Sequence, residues 1–401
     1  MIAVAEAQTR ILSAVRPLPA ETVALAAAHG RVLAEDVRSR RTQPPVDLSA
    51  MDGWAVRSAD VATVPVSLAI VGEAPAGGAH DGTVGPGEAV RIFTGGPLPR
   101  GADCIVIQEN TTFDDTKVTI LESAEAGLFV RPAGLDFSDR EIGIRAGRRL
   151  TSRDIGLAAA MNIPWLSVRR RPRVALLATG DELVRSGEPI GPNQIVASNS
   201  LSLAALIETA GGEACDLGIA RDDRDSLSVM AAGAKGADML VTIGGASVGD
   251  HDLIQDVLGD DGLEVDFWRI AMRPGKPLIF GGIGETPMLG MPGNPVSSMV
   301  CGLIFLRPAL FRLLGRTDPP LPTLAVPLGV DLDANDQRQD YLRARLIADD
   351  HDGWLAMPFG KQDSSMISRL AAADCLIVRA PHAPARRAGD TVTVLPLNDL
   401  C

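Results

Sequence analysis

The chain has 401 residues, of which 46% are hydrophobic, 22% are charged and only 3% are aromatic. This length predicts roughly two to four domains, and the composition is that of a soluble globular protein with aliphatic cores. The formal net charge of −12 argues against nucleic acid as a partner, because a polyanion would be repelled. A small anionic substrate is compatible only with a pocket that carries its own positive charge.

Cysteine usage and the first residues favour a cytoplasmic location. The five cysteines are scattered and form no C-x-x-C pair, which disfavours both a disulfide framework and a zinc site. The opening "MIAVAEAQTRILSAVRPLP" lacks a basic start and a long apolar run, so we expect no secretion signal. The apolar stretch "SMVCGLIFLRPALFRLL" is interrupted by Arg307 and Pro308, and we expect it to be too short to cross a bilayer.

The first part of the chain changes character twice. Apolar residues recur at helical intervals in "VAEAQTRILSAV" and "VALAAAHGRVLAEDV", until the prolines of "TQPPVD" end the pattern. Residues 45–138 contain short β-rich runs between glycine turns, which predicts a small β-rich domain. Helical spacing returns in "TSRDIGLAAAMNI", so residues 1–44 and 139–171 are expected to form one interrupted mixed domain, with the first helix free to pack on the next domain.

Strands and helices alternate from "RRRPRVALLATG" onwards, which predicts a doubly wound parallel sheet over residues 172–317. The expected strands are Val174–Ala178, Ala214–Gly218, Met239–Ile243, Val265–Ala271, Leu278–Phe280 and Met288–Gly290. The expected helices are Ser200–Thr209, Arg224–Ala234, Leu253–Leu258 and Val296–Leu314. After the proline-rich "GRTDPPLP", short alternating strands predict a small β barrel over residues 318–401.

Four unusual loops are expected at the carboxyl ends of the central strands, where doubly wound sheets bind their ligands. They are "ATGDEL", "GGASVGDHD", "MRPGKP" and "MPGNPVSS". Together they would place backbone amides, two cations and several carboxylates in one crevice.

The loop "GGASVGDHD" is a candidate for both anion and metal binding. Amides from Gly245 to Gly249, the Ser247 hydroxyl and the next helix dipole can bind a tetrahedral oxyanion. Asp250 and Asp252 would repel that anion unless they hold Mg²⁺, which prefers oxygen ligands and is usually shared with phosphate. The plainer interpretation is that Asp250 caps the helix and Asp252 lies in its first turn. The convergence of four loops favours the metal.

Other motifs are ambiguous when each is taken alone. Lys276 in "RPGKP" is either an anion clamp or a surface lysine on a common turn, and its expected place at a strand end favours the clamp. "MPGNPVSS" either presents free amides at a helix start or forms only a capped turn. "RDDRDSL", which contains Asp222, is most simply a helix cap with a solvated charge run. The five histidines lack metal-ligand spacing, and "TIGGASVG" fits neither the dinucleotide nor the P-loop pattern.

A resemblance appears when the motifs are taken in order. "PPVDLSAMDGWAVR", "RIFTGGPLPRGADCIVIQE", "LLATGDEL", "GGASVGDHD", "RPGKP" and "MPGNPVSS" resemble the molybdopterin molybdenumtransferase family, which includes the C-terminal domain of gephyrin. The resemblance covers essentially the whole chain. It implies insertion of molybdate into adenylylated molybdopterin with release of AMP, and a divalent cation such as Mg²⁺ as cofactor. It also implies a four-domain homodimer whose cleft joins the doubly wound domain of one subunit to the β-rich domain of the other.

The resemblance also implies roles for individual residues. The expected catalytic residues are Asp52 and Thr94, reaching into the partner's cleft, and Glu182, Asp222, Asp250 and Lys276 on the doubly wound side. Together with the loop chemistry, it places molybdate or phosphate at Gly245, Ser247, Gly249, Arg273, Lys276, Pro292, Gly293, Asn294 and Ser297. The metal would bind to Asp250, Asp252 and Glu182, and the pterin side would include Arg343 of "QDYLRARL" and Ser364 of "GKQDSS".

Two departures and two alternatives accompany this interpretation. Arg273 stands where the family often has lysine, and "GKQDSSMIS" replaces a glycine-richer run.

One alternative is a molybdopterin adenylyltransferase, which would consume ATP, but the extra β domains and "SAMDGW" argue against it. The other is a non-catalytic dimeric scaffold, which the intact Ser247, Asp250 and Lys276 disfavour. Expected protein partners are the adenylyltransferase and the recipient molybdoenzymes, with no membrane involved.

Overall fold

The computed structural model describes residues 1–244, 257, 259, 262–318, 321–348 and 353–397. Its strands, numbered in chain order, begin with β1 Ala20–Ala24, β2 Val37–Arg38, β3 Leu48–Ser49, β4 Gly53–Val56, β5 Val66–Ala74, β6 Glu88–Ile92, β7 Cys104–Ile107, β8 Thr111–Phe113, β9 Lys117–Ile120, β10 Val130–Arg131, β11 Ile142–Ile144 and β12 Trp165–Arg169. They continue with β13 Arg173–Thr179, β14 Leu183–Val184, β15 Ile195–Val196, β16 Glu213–Ala220, β17 Met239–Ile243, β18 Leu263–Phe267, β19 Met272–Arg273, β20 Ile279–Ile283 and β21 Thr286–Met291. The last are β22 Leu324–Pro327, β23 Gln339–Ala348, β24 Trp354–Pro358, β25 Cys375–Arg379 and β26 Thr391–Pro396.

The α-helices among the described residues are Val4–Ala14, Ser152–Ala160, Ser198–Ala210, Arg224–Ala231, Pro295–Cys301, Arg307–Leu313 and Ile367–Ala371. The first packs on the central domain, where the Gln8 side-chain amide donates to the Ile304 carbonyl at 3.0 Å. The expected helix Leu253–Leu258 lies outside the described residues, apart from Val257.

Strands from before and after the β-rich segment pair with each other. β1 pairs antiparallel with β12, and β2 pairs antiparallel with β11. The helix expected in "VALAAAHGRVLAEDV" was wrong, because this segment forms the end of β1, a 3₁₀ turn at Leu25–Ala27 and β2. Its apolar residues are buried by pairing with distant chain: Leu33 bridges Val168 and is 1% exposed. Tertiary pairing therefore overrides the local helical spacing.

Between these pairs, the β-rich segment folds into a six-stranded sheet of order β7-β4-β6-β5-β9-β8. Alternate residues of each strand point to opposite faces. One face buries an apolar cluster around Trp54, Leu68 and Val118, and the other buries a second cluster around Ala55, Val90 and Ile105. The predicted β-rich character of this segment is confirmed.

The central sheet has the order β16-β13-β17-β21-β20-β18. Its first four strands are parallel, as predicted, and β17 has the expected bounds. Only β20 runs in the opposite direction, antiparallel to both β21 and β18, because a two-residue turn that begins at Gly284 with φ +56° joins it to β21. The expected strand Val265–Ala271 ends instead at Phe267, and the chain leaves this sheet before β19.

One long helix, 295–313, lies at the centre of the molecule. It comprises two α-helical segments joined by a π turn at Gly302–Leu306, where the i→i−4 bonding is already interrupted before Pro308. We expected this stretch to be too short to cross a bilayer, and this was wrong, because the helix has 19 residues and is long enough to do so. However, 94% of its apolar window is buried inside the fold, as expected of a core helix.

The last domain is a sheet of order β19-β23-β25-β26-β22, with β24 paired to β23. A bridge between Leu328 and Ala356 connects its two sides, which gives the predicted small barrel. Its first strand, β19, comes from the central part of the chain. Tyr341, Leu376 and Leu395 of this domain share one apolar core with the long helix.

Candidate functional site

Three adjacent strands of the central sheet end together at one edge. β13, β17 and β21 end at Thr179, Ile243 and Met291, and the Gly244 amide donates to the Met291 carbonyl at 3.1 Å. Gly244 has φ +94°, and a Cβ there would lie 2.6 Å from the Thr179 carbonyl oxygen. Only glycine fits this position, so the loops after the three strands meet there.

The loop that follows Gly244 contains five of the predicted site residues. Gly245, Ser247, Gly249, Asp250 and Asp252 lie outside the described residues. Their proposed roles in anion and metal binding stay predictions.

Carboxylates gather beside this edge on the loops after β13 and β16. The Asp222 amide donates to Asp181 Oδ1 at 3.3 Å. Burial, followed by the negative charges of Asp181 and Glu182, raises the pKa of Asp222. Asp223 caps the helix Arg224–Ala231 by accepting from the Ser226 amide at 2.8 Å, which confirms the capping interpretation of "RDDRDSL".

The described carboxylates do not form a metal site by themselves. No group of three or more potential ligands with suitable geometry occurs within the described ranges. Glu182 is exposed and lies next to this cluster, whereas its expected partners Asp250 and Asp252 are not described. The repulsion acting on Asp222 is the kind that a bound cation would relieve.

The start of the long helix lies next to the Gly244 edge. Gly293 approaches Gly244 closely, and its carbonyl accepts from the Asn199 side chain at 2.7 Å. Asn294 is the N-cap but makes no side-chain cap bond, and the Val296 amide donates to the Ser364 carbonyl at 3.0 Å. "MPGNPVSS" is thus a helix entry docked on the C-terminal domain. Pro292 and Ser297 are both buried there.

The loop "MRPGKP" does not follow a strand of the central sheet, so that expectation was wrong. Its strand β19 pairs in parallel with β23 of the C-terminal sheet. Arg273 donates through Nε to Asp340 at 2.9 Å and through a second nitrogen to the same carboxylate, and it also contacts Asp336. Its predicted role as an oxyanion ligand stays untested, but the guanidinium is already engaged.

Lys276 extends from the same loop and is exposed. Within the described part of the chain, its ammonium group makes no hydrogen bond or ion pair. Gly275, with φ +105°, seats the loop on the long helix, because a Cβ there would lie 2.5 Å from the Cys301 sulfur. The loop therefore holds, on a fixed backbone, a cation that no described residue engages.

Arg343 is an unusual residue of the C-terminal sheet. It is 0% exposed, and all three guanidinium nitrogens lack a hydrogen-bond partner among the described residues. Burial lowers the pKa of this guanidinium, against the opposing charge of Asp363. Its backbone is fixed on both sides by Gln362, which accepts from the Arg343 amide at 2.9 Å and donates to its carbonyl at 3.0 Å. A buried guanidinium with no described hydrogen-bond partner and only the charge of Asp363 nearby is a candidate anion ligand.

The geometry places Arg343 close to the long helix. Arg343 and Tyr341 point to the same face of β23, and Tyr341 shares a core with Cys301. Ser364, which follows Gln362 and Asp363 in sequence, accepts from the first turn of that helix. The strand of Arg343, the Lys276 loop and the helix entry therefore all adjoin the contact between the central and C-terminal domains.

Asp52 and Thr94 form a second, separate constellation in the β-rich sheet. Asp52 Oδ1 accepts from the Thr94 amide at 2.7 Å and from its hydroxyl at 2.8 Å. These two bonds, aided by the charge of Arg91, hold the pKa of Asp52 below its ordinary value. The carboxylate is therefore an ionised group of fixed orientation on an exposed edge.

Arg91 lies beside Asp52 in this constellation but is not among the site residues predicted from the sequence. Its guanidinium lies 5.1 Å from the Trp54 ring centroid and 5.4 Å from those of Phe93 and Phe113, and it donates to Gln108 at 2.7 Å. The sequence feature that could have indicated Arg91 is the presence of several aromatic residues in this one segment of a chain that is only 3% aromatic. Asn199 and Gln362 carried no comparable signal, because they bind backbone groups, which a sequence pattern does not identify.

Three family models match successive parts of this chain. The MoeA N-terminal region (domain I and II) matches residues 2–162, a probable molybdopterin binding domain matches residues 175–312, and the MoeA C-terminal region (domain IV) matches residues 325–397. The three matches follow one another in the order of the sheets described above.

Curated relatives and solved structures extend the comparison to the whole length. The chain is 32% identical over 405 residues to a molybdopterin molybdenumtransferase from Haemophilus influenzae, covering 100% of both chains. It is 35% identical over 379 residues to molybdopterin molybdenumtransferase 2 of Mycobacterium tuberculosis, covering 92% of each. A molybdopterin biosynthesis MoeA protein from Pyrococcus horikoshii superposes with a TM-score of 0.85 at 31% identity, covering 99% of both.

Proposed function

The chain belongs to the molybdopterin molybdenumtransferase family, and from that membership we infer that it inserts molybdate into adenylylated molybdopterin and releases AMP. It is a transferase of molybdenum cofactor biosynthesis with the multidomain α/β architecture of MoeA structures. The adenylyltransferase alternative is not favoured, because the matches include the N-terminal and C-terminal regions as well as the molybdopterin-binding domain.

We propose that molybdate binds between the central and C-terminal domains, against Arg343. The observation that carries this proposal is that the Arg343 nitrogens have no described hydrogen-bond partner, and the side chain must turn out of its buried position to meet the anion. Molybdate is a tetrahedral dianion, and an arginine fork binds such oxyanions with good geometry. Lys276 supplies a second cation from its fixed loop, and Ser297 supplies a hydroxyl from the helix entry. This assignment moves Arg343 from the pterin side to the oxyanion pocket.

The protein accelerates the reaction mainly by holding two anions together. In water, molybdate and the adenylate phosphate repel each other, so bringing them into contact is the costly step. Fixed cations and amides in a partly buried site stabilise this arrangement without reorganising during the reaction. A side-chain nucleophile is not required, and the ionised Asp52 is suited to orienting a proton or a cation at the leaving group.

We propose that a divalent cation such as Mg²⁺ is held by Glu182 together with Asp250 and Asp252. Carboxylate oxygens are its preferred ligands. Burial, together with the nearby charges of Asp181 and Glu182, raises the pKa of Asp222, and a cation would offset those charges. When bound, the cation would polarise the phosphoanhydride. Asp222 would lie next to this group.

We also propose a cytoplasmic homodimer whose cleft is shared between subunits. The hydrogen bonds of Asp52 and Thr94 all lie within the β-rich segment. A role for these residues in chemistry at the central sheet is best explained if they reach a partner subunit's cleft. Further partners would be the adenylyltransferase that supplies the substrate and the molybdoenzymes that receive the cofactor.

The decisive experiment measures AMP release from purified adenylylated molybdopterin. Wild-type protein with Mg²⁺ should release AMP only when molybdate is added. Arg343→Met should lose at least about tenfold in molybdate-dependent release, because the buried cation is removed.

The matched control is Arg345→Met, which removes an exposed guanidinium two residues along the same strand. It should behave as wild type. Release of AMP without molybdate would refute the transferase mechanism, and full activity of Arg343→Met would refute the pocket.

A further inference from the structure

We propose that Arg273 is a positioning residue. Its guanidinium binds the Asp340 carboxylate, and this contact fixes the position of the Lys276 loop relative to the strand that carries Arg343. Lys276 and Arg343 can then both bind the same oxyanion. This inference rests on the oxyanion pocket proposed above, and it replaces the direct ligand role expected for Arg273 from the sequence.

The first support is the strand pairing that joins the two cations. Met272 lies opposite Gln339 and Arg273 lies opposite Asp340 in the parallel β19–β23 pair, and the Gln339 amide donates to the Ala271 carbonyl at 2.9 Å. Beyond this pair the two chains separate, because the loop turns at Pro274 and Gly275 and the Lys276 carbonyl accepts from the Ile270 amide, whereas Arg343 lies three positions further along β23. The register of this short pair therefore sets where the Lys276 loop attaches to the strand that carries Arg343.

The second support is the arginine fork itself. Two nitrogens of Arg273 bind the two oxygens of Asp340, which is 4% exposed, and a third nitrogen lies 3.3 Å from Asp336. β19 has only two residues, so its backbone bonds alone give a weak attachment. A planar guanidinium that binds a buried carboxylate at two points fixes both distance and direction, which a lysine ammonium cannot do.

The third support is that the chain between Arg273 and Lys276 is rigid enough to transmit position. A Cβ on Gly275 would lie 2.5 Å from the Cys301 sulfur and 3.2 Å from the Met272 methyl carbon, so the loop is tightly seated. The Lys276 carbonyl accepts from the Ile270 amide at 3.0 Å. A shift of β19 along β23 would therefore move Lys276 with it.

The test measures molybdate affinity by titration calorimetry on the full-length protein. Arg273→Lys keeps the charge but loses the fork, and it should weaken molybdate binding by about tenfold because the supporting contact is loosened. Asp340→Asn should weaken binding to a similar extent. The double variant should be no weaker than either single variant, since both changes break one contact.

The matched control is Arg170→Lys. Arg170 also grips an aspartate at two points, with bonds of 2.9 and 2.7 Å to Asp238, but it precedes β13 at the opposite end of the central sheet. This variant should bind molybdate within about twofold of wild type.

A kinetic readout separates positioning from general damage. In Arg273→Lys, the KM for molybdate should rise while kcat at saturating molybdate and the KM for adenylylated molybdopterin stay near wild type. Wild-type affinity in Arg273→Lys, with binding that still depends on Arg343, would overturn the positioning role alone. Molybdate binding that survives Arg343→Met would overturn the pocket and this inference together.

Discussion

At the scale of residues, the buried guanidinium of Arg343 lowers the stability of the free protein but is suited to binding an anion. Arg343 is fully buried without a described hydrogen-bond partner, and such a charge costs free energy in the absence of an anion. Binding sites commonly retain groups of this kind because the ligand supplies the missing partner.

We expect Arg343→Met to be more stable than wild type in buffer without oxyanions, by about 1–2 kcal/mol. The thermal unfolding midpoint measures this difference. Molybdate should raise the midpoint of the wild type, since a ligand that binds only the folded state stabilises it. It should not raise that of Arg343→Met, and an equal rise in both would contradict the assignment.

The pair of Asp52 and Thr94 leads to a pH-dependent prediction. Thr94→Val removes the hydroxyl bond to Asp52, so the pKa of this carboxyl should rise towards its ordinary value. If the ionised form is needed, the acid limb of the kcat/KM profile will move to higher pH. Thr94→Ser keeps the hydroxyl and should leave that limb in place. Identical acid limbs in Thr94→Val and wild type would exclude an essential ionised Asp52.

At the scale of elements, the sequence predicted those features whose cause is local. The strands of the central sheet read as apolar runs because they are buried on both faces, and the bounds of β17 were predicted to the residue. The loops after β13 and β21 were placed at one edge because parallel strands share their direction. These predictions needed only the chain's own periodicity.

Features that depend on distant chain were not predictable in this way. The strand β19 has two residues and exists because β23 lies beside it, so "MRPGKP" was assigned to the wrong sheet. The segment around Leu33 looks helical, but its partner Val168 lies far along the chain. The burial of Arg343 likewise depends on tertiary packing. The local pattern of "QDYLRARL" does not distinguish it from Arg345, and only the family resemblance singles it out.

Gly53 offers a test of how closely two elements approach. A Cβ there would lie 2.1 Å from the Val106 carbonyl oxygen on the neighbouring strand β7. We expect Gly53→Ala to destabilise the protein by about 3 kcal/mol or more, because the backbones must separate. It should also lower activity, since Asp52 is the preceding residue.

The control is Gly156→Ala, on an exposed turn of the helix Ser152–Ala160 where a Cβ would meet nothing within 4 Å. This change should stabilise by about 0.5–1 kcal/mol. Chemical unfolding of the two variants side by side measures both effects, and similar midpoints would contradict the close approach.

At the scale of the whole molecule, the proposed shared cleft predicts complementation between inactive variants. Asp52→Asn would damage the β-rich side of a cleft, and Lys276→Ala would damage the central side. Each homodimer should be inactive. After subunit exchange, half of the dimers should be mixed and contain one intact cleft, so about a quarter of wild-type activity should return. Measured AMP release that stays at the level of the separate variants would exclude a cleft shared in this way.

The interlaced first domain also constrains how the protein is made. β1 and β2 leave the ribosome early, but their partners β12 and β11 follow only after the entire β-rich segment has been synthesised. Until then, the edges of the early strands stay open and Leu33 has nothing to cover it. The inserted sheet, whose own partners are close in sequence, can mature first and bring the two ends of its host together. A pause in translation after β12 has emerged from the ribosome would then favour correct assembly, whereas a chain that stalls earlier would expose unpaired strand edges to its neighbours.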